Sequence, residues 1–169
     1  MVTGFLGFQQ LVDAFGGVDV DVPVGMAEPN ADAYFSRGLQ TLFGEDALAF
    51  TRNRKQFGLI GDYVRSLHQG MLILGSLDKI LERDLTALPD LLAILMGYTW
   101  TDLSLEDLLT IAAGGFLLDP ALIGNEVIPA DWVSPFAIWR ADEAEALFRD
   151  LDDGALSTDD SWLKGRYGD

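Results

Sequence analysis

A switch from helical to strand periodicity within a short stretch constrains the fold of this chain most. Apolar residues first follow the helical spacing i, i+3, i+4 and i+7, at Phe8, Leu11, Val12 and Phe15. Gly16 and Gly17 are typical of a helix end. Val18–Val22 then alternates valine with aspartate, which is the period of a half-buried strand, and Pro23 closes it. The chain therefore combines helices with a sheet, and we expect an α/β fold, a mixed sheet flanked by helices.

The rest of the chain follows the same two periods. Helices are expected over Gly44–Phe50, Asp62–Arg83, Leu88–Met96, Ser104–Leu118 and Asp142–Leu151. Glu126–Pro129 and Pro135–Trp139 are candidate strands, and Gly25–Gly38 is expected to be a loop. These elements suit one domain over residues 1–154, and the acidic tail over 155–169 is expected to fray.

The segment Arg52–Gln69 is a cationic island in an acidic chain. The sequence has 11 lysines and arginines against 27 acidic residues, with a net charge of -16. Asp62 is the only acid in this segment, which holds four cations: Arg52, Arg54, Lys55 and Arg65. Guanidinium groups suit phosphate oxygens, so the island indicates a site for a phosphorylated or otherwise anionic ligand. Alternatively, these cations only neutralise the acidic surface around them.

The spacing of polar residues at the start of the long helix supports the first interpretation. Asp62, Arg65 and Gln69 lie at i, i+3 and i+7, on one stripe near a helix N-terminus, which favours anions. If the backbone before this helix is extended, Arg52 and Arg54 point to the same side. The lone histidine, His68, is either a ligand contact or a helix residue at the rim of the pocket.

Composition excludes several classes of function. A pI near 4.1 argues against a nucleic-acid partner, which needs a broad basic face. No apolar run reaches the 18 residues of a membrane span, and Met1–Gly4 does not open a signal peptide. The chain has no cysteine, so disulfides and thiol catalysis are excluded. The aspartates of the alternating strand could suggest a metal site, but alternation with one face toward solvent explains them without a metal.

Several motifs in order resemble the LytR-CpsA-Psr (LCP) family, whose older name is the cell envelope-related transcriptional attenuator domain. They are GFQQLVDAFGGVDVDVP at 7–23, LFGEDALAFTRNRK at 42–55, GDYVRSLHQG at 61–70 and TDLS at 101–104. The glycine after Gln69 is typical of actinobacterial-looking members. The resemblance covers roughly Gly4–Leu156 and implies the later part of an LCP-type fold.

The resemblance also implies an activity. Family members are membrane-anchored extracytoplasmic phosphotransferases that move a glycopolymer, such as teichoic acid, from a polyprenyl-pyrophosphate carrier onto peptidoglycan. It implies that Arg54 and Arg65 are catalytic and contact the pyrophosphate together with Arg52 and Gln69. Asp62, Lys55 and His68 would support them. Leu91, Ile94 and Leu95 are candidates for the wall of a lipid channel. Mg²⁺ would neutralise the pyrophosphate oxygens.

The sequence departs from the family before its first motif. The family's earlier strands, its aspartates that bind magnesium and its membrane anchor have no counterpart here, so the magnesium ligands are expected outside this chain. Val18–Val22 is then expected to lack neighbouring strands, with open edges. Three interpretations follow: a glycopolymer phosphotransferase that is incomplete in this chain, a non-catalytic polyprenyl-pyrophosphate-binding module, or an inactive truncated fragment.

Overall fold

A computed structural model describes residues 2–31, 33–82, 86, 88–119, 123–128, 130–133 and 136–152 of the protein. Within these residues the α-helices are α1 (Phe5–Ala14), α2 (Gly44–Arg52), α3 (Gly61–Leu81), α4 (Leu88–Tyr98), α5 (Leu105–Gly115) and α6 (Ala141–Asp152). The strands are β1 (Val2–Thr3), β2 (Val18–Val22), β3 (Met26–Glu28), β4 (Ala33–Phe35), β5 (Gly38–Leu42), β6 (Thr99–Trp100), β7 (Ala130–Val133) and β8 (Phe136–Trp139). Short 3-10 helices span Pro29–Ala31 and Lys55–Ile60.

The strands form small antiparallel pairs, so the expected combination of helices and sheet is confirmed. The pairs among the described residues are β1 with β6, β2 with β5, β3 with β4, and β7 with β8. The strand β2 pairs along its whole length, from Val18 opposite Leu42 to Val22 opposite Gly38. The expectation that Val18–Val22 has no neighbouring strand is therefore wrong, because β5 supplies one. The expected open edge is found on the other side of β2, which pairs with no strand among the described residues.

The core lies between this β2–β5 pair and the helices α1, α2 and α3. The three valines of β2 and Phe50 of α2 are at most 2% exposed. Gly75 lets α3 approach β2 closely, because a Cβ there would overlap the backbone oxygen of Asp19. On the other strand face Asp19 accepts from Thr41 and pairs with Lys79 at 2.6 Å. The carboxylate of Asp19 therefore has a structural explanation, and Asp21 is exposed.

Two local expectations are wrong. Gly25–Gly38 is not a loop, because β3 and β4 form a hairpin across it, and Met26 and Phe35 are buried on its inner face. The segment 126–128 is not a strand; the strand begins at Ala130 instead, and Pro129 lies outside the described residues.

Other expectations are confirmed with shifted ends. The helix expected from Ser104 is opened by a capping box between Ser104 and Asp107 but ends at Gly115. The strand near Trp139 begins at Phe136, while Pro135, Arg83 and the tail 155–169 lie outside the described residues. Among the residues that the structure describes, no helix is both long and apolar enough to cross a membrane.

Candidate functional site

The cationic residues lie where the end of α2 meets the start of α3. Arg52 is the last residue of α2, Asn53 follows in an extended conformation, and Arg54 is neither helical nor extended, with φ -148° and ψ -28°. Asn53 points inward and is fully buried, while its two arginine neighbours are exposed. The two arginines therefore share one side of the chain, as expected, although the backbone is not extended throughout.

These arginines line one cavity of about 540 Å³, which we call the arginine cavity. Its lining residues are Gln9, Glu28, Asn30, Glu45, Leu48, Ala49, Arg52, Arg54, Lys55 and Arg65. Four of them are cations, although the whole chain carries a net charge of -16. The volume lies in the usual range for small-molecule sites, roughly 300–1,000 Å³. The island is thus brought into one concave surface and is not spread over the acidic exterior.

Asp62 holds two of the guanidinium groups. Its Oδ1 accepts from Nη1 of Arg54 at 3.1 Å and lies 3.1 Å from Nη2 of Arg65. All three side chains are between 39% and 52% exposed, so these ion pairs add little to stability. Their effect is on geometry, because one carboxylate oxygen sets the separation of two guanidinium groups that remain accessible to a ligand. The supporting role of Asp62 in ligand binding stays a prediction.

Close packing between α3 and the preceding loop fixes Arg54 further. Gly61, the first residue of α3, is buried against Arg54, and an added Cβ would overlap the Arg54 carbonyl oxygen. The guanidinium of Arg52 lies over the ring of Phe5 in α1, 4.8 Å from its centroid. A cation over an aromatic face is attracted to it. The arginines are thus positioned by helices from two parts of the chain.

The strand β3 is attached by side-chain hydrogen bonds to the arginine segment, which we define as residues 52–56. Asn53 Nδ2 donates to the carbonyl oxygen of Ala27 at 3.0 Å, and the N–H of Ala27 donates to Gln56 Oε1 at 2.8 Å. Gln56 Nε2 also donates to the carbonyl oxygen of Gly25 at 3.1 Å. The side chains of Asn53 and Gln56 thus bind one free edge of β3 as a neighbouring strand would, and the hairpin becomes a wall of the arginine cavity.

His68 is not at the rim of the pocket, contrary to expectation. It is fully buried, with its ring stacked on Phe50 at 4.3 Å between centroids and edge-on to Phe57 at 5.9 Å. Burial lowers the pKa of His68 to about 4, because the charged imidazolium loses its hydration. The reason for the error is helical phase: Val64, Leu67 and Leu72 also face inward, so the buried stripe of α3 includes position 68.

Gln69 and the lipid-channel candidates lie apart from the arginine cavity. Gln69 is exposed one turn beyond Arg65, and its Nε2 is 3.5 Å from the carbonyl oxygen of Thr51. Leu91 is buried in α4 and Ile94 and Leu95 are half-buried, and α4 packs on α1. None of these four residues is among those that line the cavity. Their roles in ligand binding remain predictions.

Sequence reasoning missed the carboxylates of the cavity. Glu28 lies in β3, within the segment expected to be a loop, and Glu45 lies in the first turn of α2. The alternation of Met26, Ala27 and Glu28 was the available signal, since it places Glu28 on the buried face with Met26. Three residues are too short a run to distinguish this strand from a turn.

The described residues do not fit a magnesium site by themselves. No group of three or more histidine, aspartate or glutamate side chains in this part of the chain is arranged to hold a metal ion. The cavity brings two carboxylates together with four cations, which repel a divalent ion. We therefore assign no chemical step to magnesium.

The chain is similar to proteins of a known family. The LytR_cpsA_psr family model matches residues 1–139. Over 121 residues the chain is 33% identical to the cell wall biosynthesis protein LcpA of Corynebacterium glutamicum, covering 66% of this chain and 23% of that protein. Over 81 residues it is 36% identical to the polyisoprenyl-teichoic acid–peptidoglycan teichoic acid transferase TagV of Bacillus subtilis, covering 45% and 20%.

Solved structures share the fold. The LytR-Csp2A-Psr enzyme from Actinomyces oris superposes with a TM-score of 0.71 at 20% identity, covering 92% of this chain and 63% of that one. The crystal structure of B. subtilis TagV gives 0.70 at 22% identity, covering 90% and 62%. The chain therefore spans less than two thirds of these solved chains and less than a quarter of the two curated relatives.

Proposed function

The chain belongs to the LytR_cpsA_psr family, and on that premise we propose that it acts in glycopolymer transfer, with its arginine cavity as the diphosphate site. The proposed donor is a cell-wall glycopolymer on a polyprenyl diphosphate, the acceptor is peptidoglycan, and the location is extracytoplasmic. Relatives named as teichoic acid transferases support this choice. The observation that carries it is the convergence of four cations on one cavity in a strongly acidic chain.

The chemistry of transfer suits fixed guanidinium groups. An acceptor hydroxyl forms a new bond to the phosphorus that bears the glycopolymer, and the bond from this phosphorus to the bridging oxygen breaks. Polyprenyl phosphate leaves with the electron pair, and the hydroxyl proton passes to solvent. Negative charge grows on the leaving phosphate, and preorganised donors stabilise it. Arg54 and Arg65, held by Asp62, are proposed for this role, with Arg52 and Lys55 binding the remaining oxygens.

Further parts of the site are proposed from the family. Gln69 would contact the diphosphate after a change of rotamer, since its present partner is the carbonyl oxygen of Thr51 at 3.5 Å. The apolar chain of the lipid would lie along α4, against Leu91, Ile94 and Leu95. Magnesium would bind the diphosphate oxygens with protein ligands other than the described residues.

A second candidate is a polyprenyl-diphosphate-binding module without transfer activity. The specific observation in its favour is that the arginine cavity lies within this chain. An inactive fragment would lack both activities.

One assay separates these candidates. The purified chain is incubated with a short-chain polyprenyl-diphosphate oligosaccharide, a muropeptide acceptor and magnesium, and both ligand binding and polyprenyl phosphate release are measured. Binding with release supports the transferase, and binding without release supports the module. Wild-type protein that neither binds nor releases would contradict both.

A further inference from the structure

Glu28 is one of two carboxylates that line a cavity with four cations, and it is the buried one. Glu28 is 9% exposed and points to the same face of β3 as the core residue Met26. Burying a carboxylate is costly unless it is hydrogen-bonded. Asn30 supplies two such bonds, both to Oε1 of Glu28, from Nδ2 at 2.9 Å and from its backbone N–H at 3.4 Å.

Glu28 does not neutralise the arginines that share its cavity. Within the described part of the chain it forms no ion pair, whereas Asp62 contacts both Arg54 and Arg65. Its second oxygen, Oε2, accepts no hydrogen bond from any described residue. One oxygen is thus fixed by Asn30, and the other is left to accept from an occupant of the cavity.

The placement of Glu28 depends on a specific attachment. The residue before it, Ala27, has both its N–H and its carbonyl oxygen bound by side chains of the arginine segment, Gln56 and Asn53. The carboxylate is therefore held in a fixed relation to the cations, and movement of the hairpin away from them would break two hydrogen bonds. Such rigid placement is what a discriminating contact requires.

An ionised carboxylate only accepts hydrogen bonds. Ionised phosphate oxygens offer it no donor and repel it, so Glu28 cannot contact the diphosphate itself. A neutral group with hydroxyl donors next to the diphosphate meets both requirements, and a sugar is such a group. A site built to bind a hydroxyl also discriminates against ligands that lack it, because an acceptor that the bound ligand covers is then left unpaired.

We infer that Glu28 is a specificity-determining residue of the arginine cavity: its carboxylate accepts a hydrogen bond from a hydroxyl of the sugar attached to the diphosphate, so the cavity prefers a glycosyl diphosphate to a bare diphosphate. This inference rests on the proposed function of the cavity as a diphosphate site.

The test compares two ligands on the full chain by calorimetry: farnesyl diphosphate, and the same lipid diphosphate carrying N-acetylglucosamine. The wild type should bind the sugar-bearing ligand more tightly. In Glu28→Gln this preference should fall about tenfold, the effect of a hydrogen bond to a charged group. Asp46→Asn is the matched control, because it removes a nearby exposed carboxylate outside the cavity lining and should leave the preference unchanged.

Other outcomes decide against the inference. If Glu28→Gln changes the affinity for both ligands equally, Glu28 acts only through its charge. If the preference for the sugar-bearing ligand appears only with added magnesium, a divalent ion and not Glu28 causes the preference. If Glu28→Gln fails to melt as the wild type does, Asn30→Ala replaces it, since Asn30 is exposed and its side chain orients the carboxylate. That variant should lower the preference at least about threefold, and an unchanged preference would overturn the inference.

Failure of the proposed function gives a different result. If Arg54→Ala binds both ligands as tightly as the wild type, the cavity is not the diphosphate site. Arg54→Ala could weaken the binding of both ligands while Glu28→Gln leaves the ratio of their affinities unchanged. In that case the cavity is the diphosphate site, and only the role inferred for Glu28 is wrong.

Discussion

A single carboxylate oxygen sets the spacing of two guanidinium groups in this protein. Asp62 Oδ1 lies 3.1 Å from both Arg54 and Arg65, and these side chains stay about half exposed. Charge-assisted hydrogen bonds to phosphate are among the stronger polar contacts in proteins. Removing one arginine is therefore predicted to weaken ligand binding and to change the stability of the fold little.

Arg54→Ala should weaken binding of a polyprenyl diphosphate by about 10- to 100-fold, which corresponds to about 1.5–3 kcal/mol for hydrogen bonds to a charged group. Arg54→Lys should recover only part of this, because an ammonium lacks the planar fork. The exposed Arg37, outside the cavity lining, is the control. Calorimetry measures all three variants, and equal losses in Arg37→Ala and Arg54→Ala would mean that net charge alone determines binding.

The burial of His68 is expected to make the stability of the fold depend on pH. Its folded pKa, about 4, lies below the ordinary value of 6.5 because the ring is buried. Between these values the unfolded chain binds more protons, so stability falls as the pH is lowered through this window and is constant above it. Between pH 7 and pH 5 the loss should be about 2 kcal/mol.

Urea denaturation at pH 7, 6 and 5 measures this loss, with His68→Phe as the comparison. Phenylalanine keeps the stacking on Phe50 but does not titrate. The variant should lose most of the pH dependence in this window, and an unchanged dependence would assign it to other groups.

Two elements meet at Gly61, and their contact orients the site. This glycine begins α3 directly against the carbonyl oxygen of Arg54. Gly61→Ala should push the loop away from the helix, lower stability by roughly 1–3 kcal/mol as overpacking does, and weaken diphosphate binding. Thermal melts and calorimetry test both effects.

Gly114 in α5 is a matched control, because no atom lies within 4 Å of a Cβ placed there. Gly114→Ala should raise stability by roughly 0.5–1 kcal/mol, the difference in helix propensity. If Gly61→Ala is as harmless as Gly114→Ala, the close contact at the start of α3 does not constrain Arg54.

The helices and strands also differ in how well the sequence predicts them. The strand β2 and the helices α1, α3 and α5 follow from strong periodicity and caps, and the cations of the site follow from their clustering. The hairpin β3–β4 does not, because its strands are three residues each and their pairing depends on contacts with Asn53 and Gln56, which are distant in sequence. The burial of His68 is determined by the phase of α3 against Phe50, which periodicity fixes only to within one residue.

At the scale of the whole molecule, apolar surface remains exposed. In α5 only Leu108 is buried, while Leu105 is 53% and Ile111 is 61% exposed, and Trp100 nearby in sequence is 80% exposed. Many exposed apolar side chains close together favour association between protein molecules. We therefore expect the isolated chain to self-associate as its concentration rises.

The double variant Leu105→Gln and Ile111→Gln should reduce this association in sedimentation velocity. Its stability should change by less than about 1 kcal/mol, because both side chains are exposed. A wild-type chain that stays monomeric at all concentrations would contradict the expectation.

The most direct test of the arginine cavity as a diphosphate site is a thermal melt of the chain with and without a short polyprenyl diphosphate. A ligand that binds only the folded state at 100 times its dissociation constant adds about 2.7 kcal/mol. We predict a stabilisation of this size for the wild type and a smaller one, about 0.4–1.4 kcal/mol, for Arg54→Ala at the same ligand concentration. Equal shifts in both proteins, or no shift in either, would contradict the assignment of the cavity.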